Sequence, residues 1–188
     1  EQGYLTYADV NDHLPEDIGL VRLLGGLAAD SDVPMSEETR KYVIANWRRI
    51  EQEVPQTRFN YDFWTDCQPR RSTYPACRAV IAARRQDEQL DPVMTLAIQQ
   101  AYYLQARNPS DHATLLDLAD ELKLDVKQFE QDLLSDDTEK QLKHEIQQSR
   151  QLGLNHFPSL LLTTNSRQTR ITPDYLQPQN MLEAIQLS

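Results

Sequence analysis

Gly153-Leu154-Asn155-His156-Phe157-Pro158-Ser159-Leu160-Leu161-Leu162-Thr163-Thr164 is the stretch where the chain changes character. Most of the hundred or so residues before it carry helical spacing. Here a short apolar run, bounded by proline on one side and polar residues on the other, reads as a buried strand over 159–164. Arg170-Ile171-Thr172 reads as its partner after a turn, and 180–187 as a closing helix. Far upstream, 18–24 (IGLVRLL) is apolar, partly β-branched and followed by Gly25-Gly26, which predicts another buried strand. The two apolar runs flank a long helical block, so the expected architecture is one sheet interrupted by a helical insertion.

The block is punctuated by capping residues. Residues 6–14 read as the end of a helix stopped by Pro15. Ser36-Glu37-Glu38 predicts a helix start with an acidic first turn that suits the helix dipole. The helix runs to about residue 53, with Tyr42, Val43, Trp47 and Ile50 on one face. Ser72 is the expected cap of the next helix, with Pro75 tolerated in its first turn and small residues Ala76, Ala79 and Ala83 along it. Asp91-Pro92 opens a helix expected to reach 107, and Ser110-Asp111 opens another. Asp125 and Gln128 form a capping-box pattern, and Ser135-Asp136-Asp137 starts a final helix ending at Gly153.

Composition narrows the function. The chain carries 19 Lys and Arg against 29 Asp and Glu, a net charge of −10. Such a surface repels phosphate backbones and anionic lipid, so neither nucleic acid nor a membrane is an expected partner. No apolar run approaches the ~20 residues of a membrane span. Cys67 and Cys77 have no zinc or redox spacing, and two ordinary thiols are the favoured reading. His13, His112, His144 and His156 are scattered without ligand spacing, so no metal site is expected. The carboxylates of Asp30, Asp32, Glu37 and Glu38 read as a loop and a helix start rather than a cation site. The aromatic run Phe59-Asn60-Tyr61-Asp62-Phe63-Trp64 could line a groove for unfolded peptide, but sealing a junction between helices and sheet is the commoner use.

Several segments, in order, resemble the DsbA-like branch of the thioredoxin fold, in the subfamily of predicted protein-disulfide isomerases. They are Leu24-Gly25-Gly26-Leu27-Ala28, Pro34-Met35, Trp47-Arg48-Arg49-Ile50, the aromatic run 59–64, Arg71-Ser72-Thr73-Tyr74-Pro75-Ala76-Cys77-Arg78-Ala79-Val80, and Gly153 through Leu160. The resemblance implies an α/β fold, helix-rich overall, with a thioredoxin-like sheet and a large inserted helical subdomain. Residues 1–30 and 153–188 would form the thioredoxin-like part and 31–152 the insertion.

The resemblance also implies a thiol–disulfide oxidoreductase or isomerase acting on protein or small-molecule thiols and disulfides. Relatives begin with a strand leading into Cys-x-x-Cys, closely followed by Gly and an aromatic residue, and Gly3-Tyr4 resembles that trailing pair. In an ungapped alignment Glu1 falls where the second cysteine belongs, so the redox pair is expected upstream of Gly3. A thiolate there would gain stability from a helix N-terminus and attack a substrate disulfide through a mixed disulfide. Phe157-Pro158 corresponds to the cis-proline loop facing that pair, which makes Phe157, Pro158 and His156 the expected substrate-binding residues. No tightly held cofactor is implied, with glutathione a candidate thiol partner, and the cytoplasm is the expected compartment. Two other functions fit the same order: a glutathione-dependent transferase or isomerase of the kappa or 2-hydroxychromene-2-carboxylate isomerase type, and a redox-inactive thioredoxin-like binding module.

Overall fold

A helix satisfies its own backbone, whereas a strand needs a neighbour to pair with. The computed structural model describes residues 13–54, 56–164, 167–174 and 177–187, and in it the helices fall close to where their caps and spacing place them. In chain order they are α1 (Glu37–Glu53), α2 (Phe63–Asp66), α3 (Tyr74–Gln86), α4 (Leu90–Leu104), α5 (His112–Glu121), α6 (Val126–Leu133) and α7 (Asp136–Gln151). Strands β1 (Leu160–Thr163) and β2 (Gln168–Ile171) and helix α8 (Pro178–Gln186) follow.

The Ser36 hydroxyl accepts the Thr39 N–H at 3.2 Å to start α1, and Ser135 accepts Thr138 N–H at 3.1 Å to start α7. Asp125 accepts Gln128 N–H at 3.0 Å, but only this half of the expected capping box forms. The Asp125 N–H turns instead to Gln86 Oε1 at 2.9 Å, while Gln86 Nε2 donates to the Asp125 carbonyl at 2.9 Å. One amide thereby joins the end of α3 to the start of α6.

Two boundaries differ from expectation. Thr73, not Ser72, precedes α3, and its hydroxyl is engaged by Ala28, accepting that residue's N–H at 2.9 Å. Ser72 is buried and gives its carbonyl to the Ser110 hydroxyl at 2.7 Å. Helix α4 stops at Leu104 rather than 107, because Ala106 turns to φ +52° and Arg107 N–H reaches back to the Ala101 carbonyl at 2.9 Å.

Helix α3 is the hub of the block, packing on α4, α6 and α7. Ala79, Ala82 and Ala83 are fully buried along it, and side chains this small let neighbouring backbones approach closely. Met94, Ala101, Leu115, Leu118 and Phe129 complete that core. A second cluster surrounds Trp47, which stacks on Phe59 at 4.8 Å, while Phe63 meets Tyr102 edge-on at 4.7 Å. The aromatic run therefore seals α1, α2 and α4 against one another, with Phe63 and Trp64 buried. This excludes the open-groove reading, and moves the sealed junction from helices and sheet to helix and helix.

Strands β1 and β2 pair antiparallel, with Leu160 opposite Ile171 and Leu162 opposite Thr169. Helix α8 covers them through Met181, Leu182 and Ile185, and Leu14 and Ile18 pack on the same cluster. The expected strand over 18–24 is not one: among the described residues it pairs with no other strand, and the described sheet contains β1 and β2 alone. The physical reason is the missing ladder. Leu24 N–H is taken by a side chain, the carboxylate of Glu145, instead of by a neighbouring strand. Apart from His13 and Leu14, the expected helix over 6–14 lies outside the described residues.

Candidate active site

The loop into β1 is positioned by the way α7 ends. Gly153, at φ +71°, occupies the left-handed position after the helix, where its N–H bonds the Arg150 carbonyl at 2.9 Å and Leu154 N–H bonds the Ser149 carbonyl at 2.8 Å. This paired closure turns the chain sharply and buries Leu154. Arg170 of β2 then holds the Gly153 carbonyl through Nη2 at 2.5 Å. Beyond it His156 and Pro158 are exposed and Phe157 is half-buried, with a cis Phe157–Pro158 peptide bond. The Ser159 hydroxyl donates to the His156 carbonyl and closes the bend.

The Phe157 ring lies directly on Gly25, where an added Cβ would overlap it. Gly26, at φ +52°, has the same relation to Ile146 and lies against Tyr74. The absence of side chains at 25 and 26 therefore lets one backbone pass between the Phe157 loop and the helices. Glu145 fixes that passage. Its Oε2 accepts Leu24 N–H at 3.0 Å, its Oε1 accepts Arg84 Nη1 at 2.6 Å, and Arg84 Nε donates to Asp91 Oδ2 at 2.8 Å. Asp91 and Glu145 are both buried, so each depends on the shared guanidinium. In sequence Asp91 reads only as a helix opener, and nothing marks Arg84 or Glu145 as its partners. The available signal was Glu145 itself, which sits on the buried stripe of Thr138, Leu142, Ile146 and Ser149.

Neither thiol is suited to attack. Burial pushes Cys77 up to about 11, against the modest opposing effect of a backbone hydrogen bond from Gly26. Burial, followed by the charges of Asp111 and Asp66, also raises Cys67, whose S–H donates to the Ala106 carbonyl at 3.0 Å. Both are free thiols, protonated at neutral pH. The acidic run resolves into separate duties. Asp30 takes both Nη atoms of Arg78 at 2.7 and 2.8 Å, a pairing that holds its carboxyl below the usual range, while Glu37 and Glu38 occupy the first turn of α1. Among the described residues no group of three His, Cys, Asp or Glu could hold a metal ion. His112 is spent on Glu130, at 2.9 Å.

The family model described as thioredoxin matches residues 36–181. The chain belongs to the thioredoxin family. Its fold is close to that of the cytosolic disulfide reductase DsbM from Pseudomonas aeruginosa, with a TM-score of 0.76 at 23% identity, covering 99% of this chain and 91% of that one. The same reductase with GSH gives 0.75 at 22% identity, again over 99% and 91%. Among curated proteins, the ClpXP adapter protein SpxH of Bacillus subtilis is 23% identical over 135 residues. That match covers 71% of this chain but only 45% of the adapter, so the chain spans about half the length of this relative. These likenesses place the chain in the DsbA-like, helix-rich form of the thioredoxin fold. No described helix is long and apolar enough to cross a membrane.

Proposed function

We propose that this chain is the substrate-facing part of a thiol–disulfide oxidoreductase or isomerase, working on protein or small-molecule disulfides in the cytoplasm. The observation that carries the reading is the loop at the mouth of β1. Pro158 is exposed there and offers no N–H, and the half-buried Phe157 beside it is seated on Gly25. In a thioredoxin-family chain this is the rim against which an extended substrate would lie, with His156 at its outer edge. The redox pair is a Cys-x-x-Cys contributed ahead of Gly3, facing Pro158. The protonated states of Cys67 and Cys77 support assigning the chemistry elsewhere. Residues 31–152 act as the inserted helical subdomain, and 1–30 with 153–188 as the thioredoxin-like part. Glutathione is the proposed small thiol partner, a reading supported by the neighbouring reductase solved with GSH.

The test begins with the coding sequence immediately ahead of Glu1. Cys-x-x-Cys there supports the oxidoreductase, and a lone serine points to the glutathione-dependent transferase or isomerase. The absence of both motifs favours a redox-inactive binding module, the second reading, which the likeness to an adapter protein supports. The functional assay is reduction of a model disulfide by the natural protein carrying Cys67→Ala and Cys77→Ala. Most activity should survive. Loss of turnover with the fold intact would show that the chemistry belongs to these thiols after all.

A further inference from the structure

The hairpin joining β1 to β2 settles which backbone groups of β2 face away from β1. Thr164 N–H bonds the Arg167 carbonyl at 2.9 Å. In an antiparallel ladder, hydrogen-bonded pairs alternate with pairs that exchange no bonds. The register sets Thr163 opposite Gln168, Leu162 opposite Thr169, Leu161 opposite Arg170 and Leu160 opposite Ile171. Counting from the Thr164–Arg167 pair, Thr169 and Ile171 bond to β1. Gln168, Arg170 and, one residue past the strand, Thr172 therefore point their N–H and C=O groups to the outer edge. Among the described residues no hydrogen bond reaches the backbone of Arg170 or Thr172 from that side.

Water can satisfy such an edge, and edges left to water are commonly blunted by a lysine, an outward-facing proline or a bulge. This edge carries none of the three. Strand β2 has no lysine, and its one charged side chain, Arg170, is bonded to the Gly153 carbonyl. Pro173 falls where an N–H would face β1, so it removes no outward donor. The four pairs of the register follow one another without an inserted residue. The edge opens on a cleft of about 490 Å³, lined by 169–172 and, from the end of α1, by Glu53 and Val54. Two carboxylates line it, Glu53 and Asp174, and its one cation is Arg170. Glu53 lies 4.0 Å from Arg49, in an exposed pair that water screens.

We propose that the outer edge of β2 receives an extended, basic segment of another polypeptide as an added strand. The backbone does the recognising: the incoming strand bonds to Arg170 and then to Thr172, two residues or ~6.8 Å further along. A helix could not substitute, because its backbone groups are spent within it. A Lys or Arg side chain of the segment is drawn to Glu53 and Asp174, which repel an acidic segment, as does a net charge of −10. A second copy of β2 would bring another Glu53 and Asp174 to the same cleft, which opposes self-pairing. The edge lies across β2 from β1, the strand that follows Phe157 and Pro158, and its occupation needs no redox chemistry.

The probe is a hexapeptide alternating valine with lysine, titrated into the isotope-labelled natural protein and followed by nuclear magnetic resonance. The amide signals of Arg170 and Thr172 should move and their hydrogen exchange should slow. The same peptide N-methylated at every residue keeps its charge but cannot pair, and it should leave both amides in place. A peptide with glutamate for lysine should do the same. Glu53→Gln should weaken binding about threefold, the size of one exposed ion pair. Thr172→Pro removes an outward N–H and should weaken it about fivefold, the size of one hydrogen bond. Circular dichroism first confirms both folds; if Thr172→Pro disturbs the hairpin, the N-methylated peptide decides the point with the protein unaltered. Unmoved amides at 170 and 172 with the lysine peptide, or an equal response to the acidic or the methylated one, would each overturn the site. Slow exchange of both amides in the protein alone, together with self-association, would also overturn it by giving the edge to a second copy.

Discussion

Along α3 the side chains of Ala79, Ile81, Ala82 and Ala83 have no exposed surface, whereas over 18–33 Val21 is 79% exposed, Val33 72% and Leu27 62%. Both regions are apolar in sequence, and they are held by different means. The block closes on itself through side-chain packing. The extended segment is threaded onto it by polar contacts at every second residue: Leu24 to Glu145, Gly26 to Cys77, Ala28 to Thr73 and Asp30 to Arg78. Thr73, Cys77 and Glu145 thus meet the backbone of this segment with side chains where a sheet would offer a partner strand, and Arg78 ties down the Asp30 side chain. Apolar composition shows that a segment seeks burial, but not whether neighbours exist to provide it.

The contrast is broken most directly by truncation. Phe129 is fully buried between α6 and the α3 core, and Phe129→Ala should cost ~3–5 kcal/mol in urea unfolding. Val21→Ala should change stability by less than ~0.5 kcal/mol. Comparable losses at the two sites would mean that 18–33 is packed as the helices are.

Glu145→Ala separates the polar threads from the packing. Removing this buried carboxylate leaves Leu24 N–H without its acceptor and Arg84 with Asp91 alone, and ~2–3 kcal/mol should be lost. The diagnostic readout is amide exchange. Leu24 should lose protection beyond the global decrease, while amides within α5 and α6 follow the global value. Uniform loss would show that Glu145 supports the core and not the segment.

Cys77 gives the same junction a pH dependence. Folding raises its thiol pKa, so the protonated form is favoured and the contribution is complete below the ordinary thiol value of ~8.5. It is lost as pH rises through about 11. The unfolding free energy of the parent should fall across that interval, by up to ~3 kcal/mol. Cys77→Ala should flatten this part of the profile, leaving the half-buried tyrosines Tyr102 and Tyr103, which burial also raises. An unchanged slope in the variant would place the thiol in contact with solvent.

Gly25→Ala is a smaller perturbation. The new methyl must displace the half-exposed Phe157 ring, at a cost of ~1–2 kcal/mol. The resonances of residues 156–159 should move more than those of α5. If they do not, Phe157 is not seated on Gly25, and the rim proposed for substrate loses its support.

The legibility of the chain divides along the same line. Ser36, Asp125 and Ser135 announce their helices because a cap acts on the next three residues and needs nothing distant. Ser72 misled because Thr73 is committed to Ala28, 45 residues away. The strand over 18–24 was misread for the corresponding reason: pairing is a property of two segments. At the candidate site, the position of Phe157–Pro158 before β1 could be read from local sequence, whereas its seat on Gly25 could not. Likewise Arg84, Asp91 and Glu145 lie on three different helices, and no spacing joins them.

The helix ends allow the finest comparison, because α5 and α7 close in the same way on different residues. After α7 the left-handed position is Gly153; after α5 it is Lys123, at φ +62°. Both closing bonds form there too, Lys123 N–H to the Asp120 carbonyl at 2.9 Å and Leu124 N–H to the Ala119 carbonyl at 3.0 Å. A side chain at such φ crowds its own backbone by ~1–2 kcal/mol, which glycine avoids. Lys123 is exposed and has no ion pair among the described residues, so Lys123→Gly removes no described side-chain partner. Glycine also loosens the unfolded chain, which offsets part of the gain. The expected net effect is a stabilisation of ~0.5–1 kcal/mol, seen as a raised urea midpoint at unchanged slope. Gly153→Ala should act in the opposite direction and somewhat more strongly, because its Cβ would also meet Arg170 Nη2 at 2.8 Å. If Lys123→Gly destabilises the protein, the lysine side chain holds the end of α5, and the two helix ends differ in more than their residues.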